Sequence, residues 1–228
     1  MRKFVSVILL GFIAAGFFFA LSDIPFGDDR MGVAKYYIEN GIAQTGAVNI
    51  VTSVVVNYRA LDTLGEVTVL FVASLGLGAL LYPGNRGVDE EKQRASLIVR
   101  TGARILFPLI LLFGAYIFVH GHLTPGGGFQ GGAVIASAFL LQYLAHRHYQ
   151  LDRRQFSLVE SGSGAAFVLV GLLGLAVGGY FLNNFIGKGV PYSLFSAGVI
   201  PILYVAIGLK VGAELAGIVA GLMESRSG

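Results

Sequence analysis

No cysteine occurs among the 228 residues, which removes disulfides and thiolate-held iron–sulfur clusters from this chain. Charge is scarce too. Asp, Glu, Lys and Arg together make up 13% of the sequence, about half of the ~25% usual in a soluble domain. No glycine-rich phosphate loop, zinc-protease helix or serine nucleophile elbow is present, so soluble catalytic chemistry has no visible seat. What the chain does have is apolar residues, 55% of the total, gathered into long runs. That places it among integral membrane proteins. The net charge of +3 is not a nucleic-acid signal, because the bases fall in short loops between the runs. The 33 glycines fit close helix–helix packing in a bilayer.

The apolar segments cover 4–21, 46–82, 101–120, 129–146, 157–182 and 194–222. The first follows Arg2 and Lys3. It is longer than a usual signal-peptide core, and Phe18 spoils the small-residue cleavage pattern, so it is expected to remain as an uncleaved span. The 37 residues of 46–82 would make a helix of about 55 Å, too long for one span and too short for two with a turn. A partial or interfacial helix over 46–57, a break, and a full span over 62–82 resolve this. The expected fold is therefore all-α: about six transmembrane helices, one extra partial or interfacial helix, and a glycine-rich break after Pro125. A short amphipathic helix is expected over Val33–Ile42, in a loop made acidic by Asp23, Asp28, Asp29 and Glu39.

Basic residues orient these spans. Eleven lie in the N-terminus, the 83–104 and 146–155 loops and the tail, and only three in the 22–45 and 183–193 loops. Six crossings with both termini cytoplasmic satisfy that split. Making 46–57 a full span would put Arg86, Lys92, Arg94, Arg100 and Arg104 outside. The polar stretch 83–96 reads as a linker or fusion joint, dividing the chain into 1–95 and 96–228.

Inside the long segment sits Arg59-Ala60-Leu61-Asp62-Thr63-Leu64-Gly65-Glu66. Each ionisable group at membrane depth costs about 2.5–3.5 kcal/mol even on lenient scales, so such groups are normally in use. Asp62 and Glu66 are one helical turn apart. Two carboxylates that close favour sharing a proton, and their hard oxygens suit Na⁺. Arg59 can neutralise part of the pair. The alternative is a structural ion pair that anchors a helix start.

A second motif runs His120-Gly121-His122-Leu123-Thr124-Pro125-Gly126-Gly127-Gly128-Phe129. Pro125 and the helix-breaking Gly126, Gly127 and Gly128 make either a tight turn between spans or a break whose carbonyls line an ion path. His120 and His122 lack a third ligand for a metal. Further ionisable residues lie in the later segments. Glu160 is expected to be shallow, which leaves a cytoplasmic-surface role and a place in a relay with Lys210 and Glu214 both open. Lys210 and Glu214 fall well inside the last span, as a self-neutralising i,i+4 pair or as part of a relay. Gly208–Gly212 and Gly217–Gly221 have the spacing of helix-packing glycines.

The stretch from Gly46 through Arg59-Ala60-Leu61-Asp62-Thr63-Leu64-Gly65-Glu66 to Leu70 resembles the C-terminal part of MrpA, the large protein of Mrp-type multisubunit Na⁺/H⁺ antiporters. It is equally similar to MbhE, a small protein of membrane-bound, hydrogen-evolving hydrogenases. Gly121-His122-Leu123-Thr124-Pro125-Gly126-Gly127-Gly128-Phe129 resembles the MrpB/MnhB family of the same antiporters. The resemblance implies a membrane subunit of a sodium-translocating module, with Asp62, Glu66, Pro125 and Phe129 near the ion path and Na⁺ and H⁺ as transported ions. No cofactor is expected on this chain itself. Expected partners are other Mrp-like subunits, an antiporter-like subunit and hydrogenase-type redox subunits, in a prokaryotic cytoplasmic membrane. Position 57 is Asn where relatives often carry Asp, which removes one ligand of a three-carboxylate site. The competing reading is an adaptor that holds partner helices while ions pass elsewhere.

Overall fold

A computed structural model describes residues 2–22, 32–81, 95–146 and 149–225. Among the described residues every regular element is a helix, with no strand, and six helices are long and apolar enough to cross a membrane. In chain order they are α1 (Arg2–Ser22), α2 (Gly32–Thr45), α3 (Ile50–Ser53), α4 (Ala60–Leu81), α5 (Leu97–Val119), α6 (Gly128–Ala145), α7 (Arg153–Gly178) and α8 (Ile200–Ser225). Residues 1–35 and 36–228 pack as two units. The first contains α1, an apolar helix whose side chains from Lys3 to Ser22 are exposed.

In the second unit α8 is the central element, in contact with α4, α5, α6 and α7. Ile200, Leu203, Ile207 and Val211 along it are essentially inaccessible and join Val56, Val67 and Phe167 in the main core. The close fit of α6 on α8 depends on small residues: a Cβ on Gly128 would stand 2.5 Å from Ile207, and one on Gly132 2.8 Å from Val211. Van der Waals packing of this kind holds helices together where lipid removes the hydrophobic drive. Gly217, by contrast, has nothing within 4 Å of an added Cβ. In the other expected glycine pair of α8, a Cβ on Gly208 would meet Phe118 and one on Gly212 would meet Ile135.

Local chemistry sets the helix ends. Asn49 caps α3, accepting from the Val51 amide at 3.1 Å. Asp152 caps α7, accepting from the amides of Arg154 and Gln155. That cap moves the α7 start to Arg153, four residues before the apolar run, so Glu160 lies two turns from the start of the helix. The last span begins at Ile200 and not near 194, because Leu194 and Phe195 belong to the connecting loop. The amphipathic helix expected at Val33–Ile42 extends over Gly32–Thr45. Asp23, Asp28, Asp29, Arg30, the 83–94 part of the expected joint and Arg147 lie outside the described residues.

Candidate functional site

The long segment folds as a partial helix, a break and a full span. From Val54 to Tyr58 the α3 backbone widens into a π turn, with the Arg59 amide donating five residues back to the Val54 carbonyl at 2.8 Å. Such turns recur at functional sites in other helices. Arg59 leaves the helical region, and α4 restarts at Ala60. The break is thus made by an extra residue in the turn, with no proline or glycine in it. Thr63 ties it down, its hydroxyl donating to the Val55 carbonyl at 2.5 Å.

This geometry places the ionisable octapeptide at the start of α4. Arg59 Nε donates to Asp62 Oδ2 at 2.5 Å, and both side chains are more than half exposed. Glu66, one turn further into the span, is exposed and makes no ion pair or hydrogen bond with the described residues. Asp62 and Glu66 stand on one side of α4, while their neighbours Thr63 and Val67 are buried. The chain therefore turns its acids away from its own core.

The His120–Gly127 motif forms the turn that joins α5 to α6. Of the two expectations for it, the tight turn is the one found. Gly126 and Gly127 lie in the turn, and Gly127 has φ +149, which disfavours any side chain there. Gly128 is already the first residue of α6, so it opens a helix and is not part of the break. Pro125 is exposed, while Phe129 packs partly against the main core.

The turn and the broken segment are stitched together. Asn49 Nδ2 donates to the carbonyls of Gly121 (2.9 Å) and Thr124 (3.0 Å). Its amide donates to the His122 carbonyl at 3.1 Å. The Thr52 hydroxyl donates to the Gly121 carbonyl at 2.6 Å and lies 2.7 Å from the Tyr204 hydroxyl on α8. The segment that carries the octapeptide thus meets the turn through Asn49, Thr52 and Tyr204, and not through the charged residues themselves. The cap residue type at Asn49 is visible in the sequence. Its carbonyl partners, some 70 residues away, are not.

At the same end the 179–199 loop closes the bundle. Asn184 accepts from the Val199 amide at 2.9 Å and donates to the carbonyls of Ala197 and Thr45. An open cleft of about 520 Å³ here has Gln44, Asn57, Tyr58, Asn183, Asn184 and Lys188 among its lining residues. Tyr58 donates to Gln44 Oε1 at 2.6 Å. The two histidines have different surroundings. The His120 ring stacks on Tyr116, whereas His122 is fully buried. Burial holds the His122 imidazole below the ordinary histidine pKa. The backbone groups of Ser193, Leu194 and Val119 oppose that shift without cancelling it, and no close hydrogen bond reaches either ring nitrogen.

Lys210 and Glu214 are paired as expected, Nζ to Oε1 at 2.6 Å. Here the exposure is 12% for the lysine and nil for the glutamate side chain. This pair is inside the protein.

A sequence model described as a domain related to the MnhB subunit of Na⁺/H⁺ antiporter matches residues 98–217, more than half of the chain. The chain belongs to the MnhB family. A second model, MbhE of the MBH complex, matches residues 1–94. An uncharacterized protein of Methanocaldococcus jannaschii is 33% identical over 210 residues, spanning 81% of this chain and 79% of its own. Among solved structures, a chain of the membrane-bound sulfane sulfur reductase, an archaeal respiratory membrane complex, is 52% identical. It aligns with a TM-score of 0.80 over 98% of this chain and 99% of that one. A chain of the Mrp complex from Dietzia sp. DQ12-45-1b is 28% identical with a TM-score of 0.76, covering 97% of this chain but only 26% of that longer one. The MnhB-family chain is a multi-pass membrane subunit of an Mrp-like complex, and other membrane subunits are its partners.

Proposed function

We propose that this chain forms part of the sodium path of a Na⁺/H⁺ antiport module, in a multisubunit complex of a prokaryotic cytoplasmic membrane with both termini on the cytoplasmic side. The observation that carries the reading is Glu66, an acid without a partner among the described residues, on the exposed side of a membrane-spanning helix. Facing lipid, it would cost about 2.5–3.5 kcal/mol or more. A neighbouring subunit or a hydrated path between subunits removes that cost, so α4 is the side on which the ion path is completed. Arg59 already compensates Asp62, which leaves Glu66 as the open oxygen ligand and Asp62 as a held second one. Hard carboxylate oxygens at this spacing suit Na⁺, and protonation of Glu66 would release it. Pro125 and Phe129 border the path through the turn that Asn49 and Thr52 bind to the broken segment. The host complex is of the respiratory kind, with an antiporter-like subunit and redox subunits as partners. The near full-length likeness to the sulfane sulfur reductase chain supports that choice.

Glu66→Gln in the assembled complex should abolish Na⁺-dependent transport in proteoliposomes, and Asp62→Asn should weaken it less. Pro125→Ala should change the Na⁺ dependence more than the yield of complex. An assembled Asp62→Asn/Glu66→Gln complex that transports Na⁺ normally would refute the reading and leave α4 as an adaptor surface, for which the Arg59–Asp62 pair, closed within the chain, is the favouring feature.

A further inference from the structure

Lys210 and Glu214 take no part in the sodium path proposed above, yet they form the most deeply buried ionic group described in the chain. Lys210 is ten residues into α8, about 15 Å along it and so near the middle of a ~30 Å hydrocarbon layer. Its ammonium lies 4.8 Å from the centre of the Phe71 ring on α4. Its stem covers Gly164 of α7, with Cδ 3.6 Å and Nζ 3.8 Å from where a Cβ would stand. A Cβ at 164 would meet the lysine at ordinary van der Waals distance. Glu214 gives Oε1 to Lys210, while Oε2 is fully buried and has no partner among the described residues. A permanently ionised structural pair would be expected to have both carboxylate oxygens satisfied, since an unmade bond to a buried charge is costly.

Glu160 supplies the third member. It lies four residues before Gly164 on α7, hence on the same face and one turn nearer the end where α7 begins. It is half-buried and acts electrostatically on Glu214. Among the described residues, Lys210 and Glu160 are the charged groups that do so. The three side chains thus descend from mid-membrane towards the end of the bundle opposite the His120–Gly127 turn.

We propose that Glu160, Glu214 and Lys210 form a proton-binding site inside this chain, reached from the end of the bundle where α7 begins, with Glu214 as the buried acceptor. A proton leaves the Glu160 carboxyl, an O–H bond forms on Glu214, and Glu160 becomes the carboxylate. Lys210 keeps its ammonium throughout and can turn from Glu214 to Glu160, so the cluster is neutral before and after the step. That neutrality is what makes a mid-membrane proton position tolerable. The second, unpartnered oxygen of Glu214 is the atom that takes the proton while Oε1 still faces the lysine.

Infrared difference spectroscopy of the purified complex in lipid nanodiscs, titrated in H₂O and D₂O, tests this. The expected result is a carboxylic C=O stretch that titrates, is lost in Glu214→Gln, and has a displaced midpoint in Glu160→Gln. If the single variant fails to assemble, the charge-neutral Lys210→Met/Glu214→Gln pair serves, and the band should be missing there too. A spectrum in which neither variant removes a titrating carboxyl band overturns the proposal and makes the pair a fixed structural one. The same band should persist in Asp62→Asn/Glu66→Gln, so failure of the sodium-path reading and failure of this one are distinguishable.

Discussion

The start of α4, with Arg59 just before it, and the body of α8 each bring an acid and a base about one turn apart at membrane depth or its margin, and they treat them in opposite ways. At the start of α4 the Arg59 and Asp62 side chains are 63% and 52% exposed, and Glu66 beyond them has no partner among the described residues. On α8 the Lys210 and Glu214 side chains are 12% and 0% exposed. The cause is packing. α8 has four helix neighbours and buries most of its surface, whereas α4 lies against the bundle by one stripe. The same sequence device therefore makes an outward-facing, partner-dependent site on one helix and a self-contained one on the other. Spacing alone does not decide between them. The neighbours of each helix do.

The sharpest way to break this comparison is to remove one base from each pair. Lys210→Met leaves a carboxylate inside the protein without its cation and should cost on the order of 3–5 kcal/mol, seen as a lower thermal midpoint and loss of assembled complex. Most of that should return in Lys210→Met/Glu214→Leu, which removes both charges. The single-variant cost should shrink as pH falls, because a protonated Glu214 carries no orphan charge. Arg59→Gln should cost only about 0–1 kcal/mol, as exposed pairs do. Equal losses in the two variants would mean that α4 is as buried in the complex as α8 is in the chain.

A moderate effect is expected at the contact between the broken segment and the turn. Thr52→Val keeps the shape but removes the hydroxyl shared by the Gly121 carbonyl and Tyr204. The loss should be about 1–3 kcal/mol, because a buried acceptor and a buried hydroxyl each lose a partner. Amide exchange in the 120–127 turn should rise with it. A change confined to residues 50–58 would show that the turn holds its shape without Thr52.

These outcomes bear on what the sequence makes legible. The six spans, the partial helix and the turn are legible because apolar runs, charged breaks and glycines act locally. The Lys210–Glu214 pair is legible for the same reason, being four residues apart on one helix. Two things are not. The start of α7 depends on the Asp152 cap, which carries Arg153 and Arg154 into the helix ahead of the apolar run. The stitch through Asn49, Thr52 and Tyr204 uses backbone carbonyls as acceptors, and a carbonyl has no sequence signature. Nor can the exposure of Glu66 be read from its neighbours, since Thr63 and Val67 on either side of it are buried while Glu66 is not.

The smallest expected effect concerns His122, behind that same turn. Its pKa is lowered chiefly by burial, so the folded chain holds the ring neutral. Above the ordinary value of 6.5 both the folded and unfolded chains carry a neutral ring, and its contribution to stability is complete. Below that value the unfolded chain takes up a proton that the buried ring resists, so stability falls as pH drops towards the lowered folded pKa. The turn should therefore loosen on mild acidification, by less than in Thr52→Val, as measured by amide exchange at 120–127 through this pH range. In His122→Gln the same acid step should leave the turn unchanged. If the variant loosens as much as the wild type, the acid sensitivity belongs to other groups, and the end of the bundle bearing the turn is rigid to protons while the Glu160–Glu214 end is not.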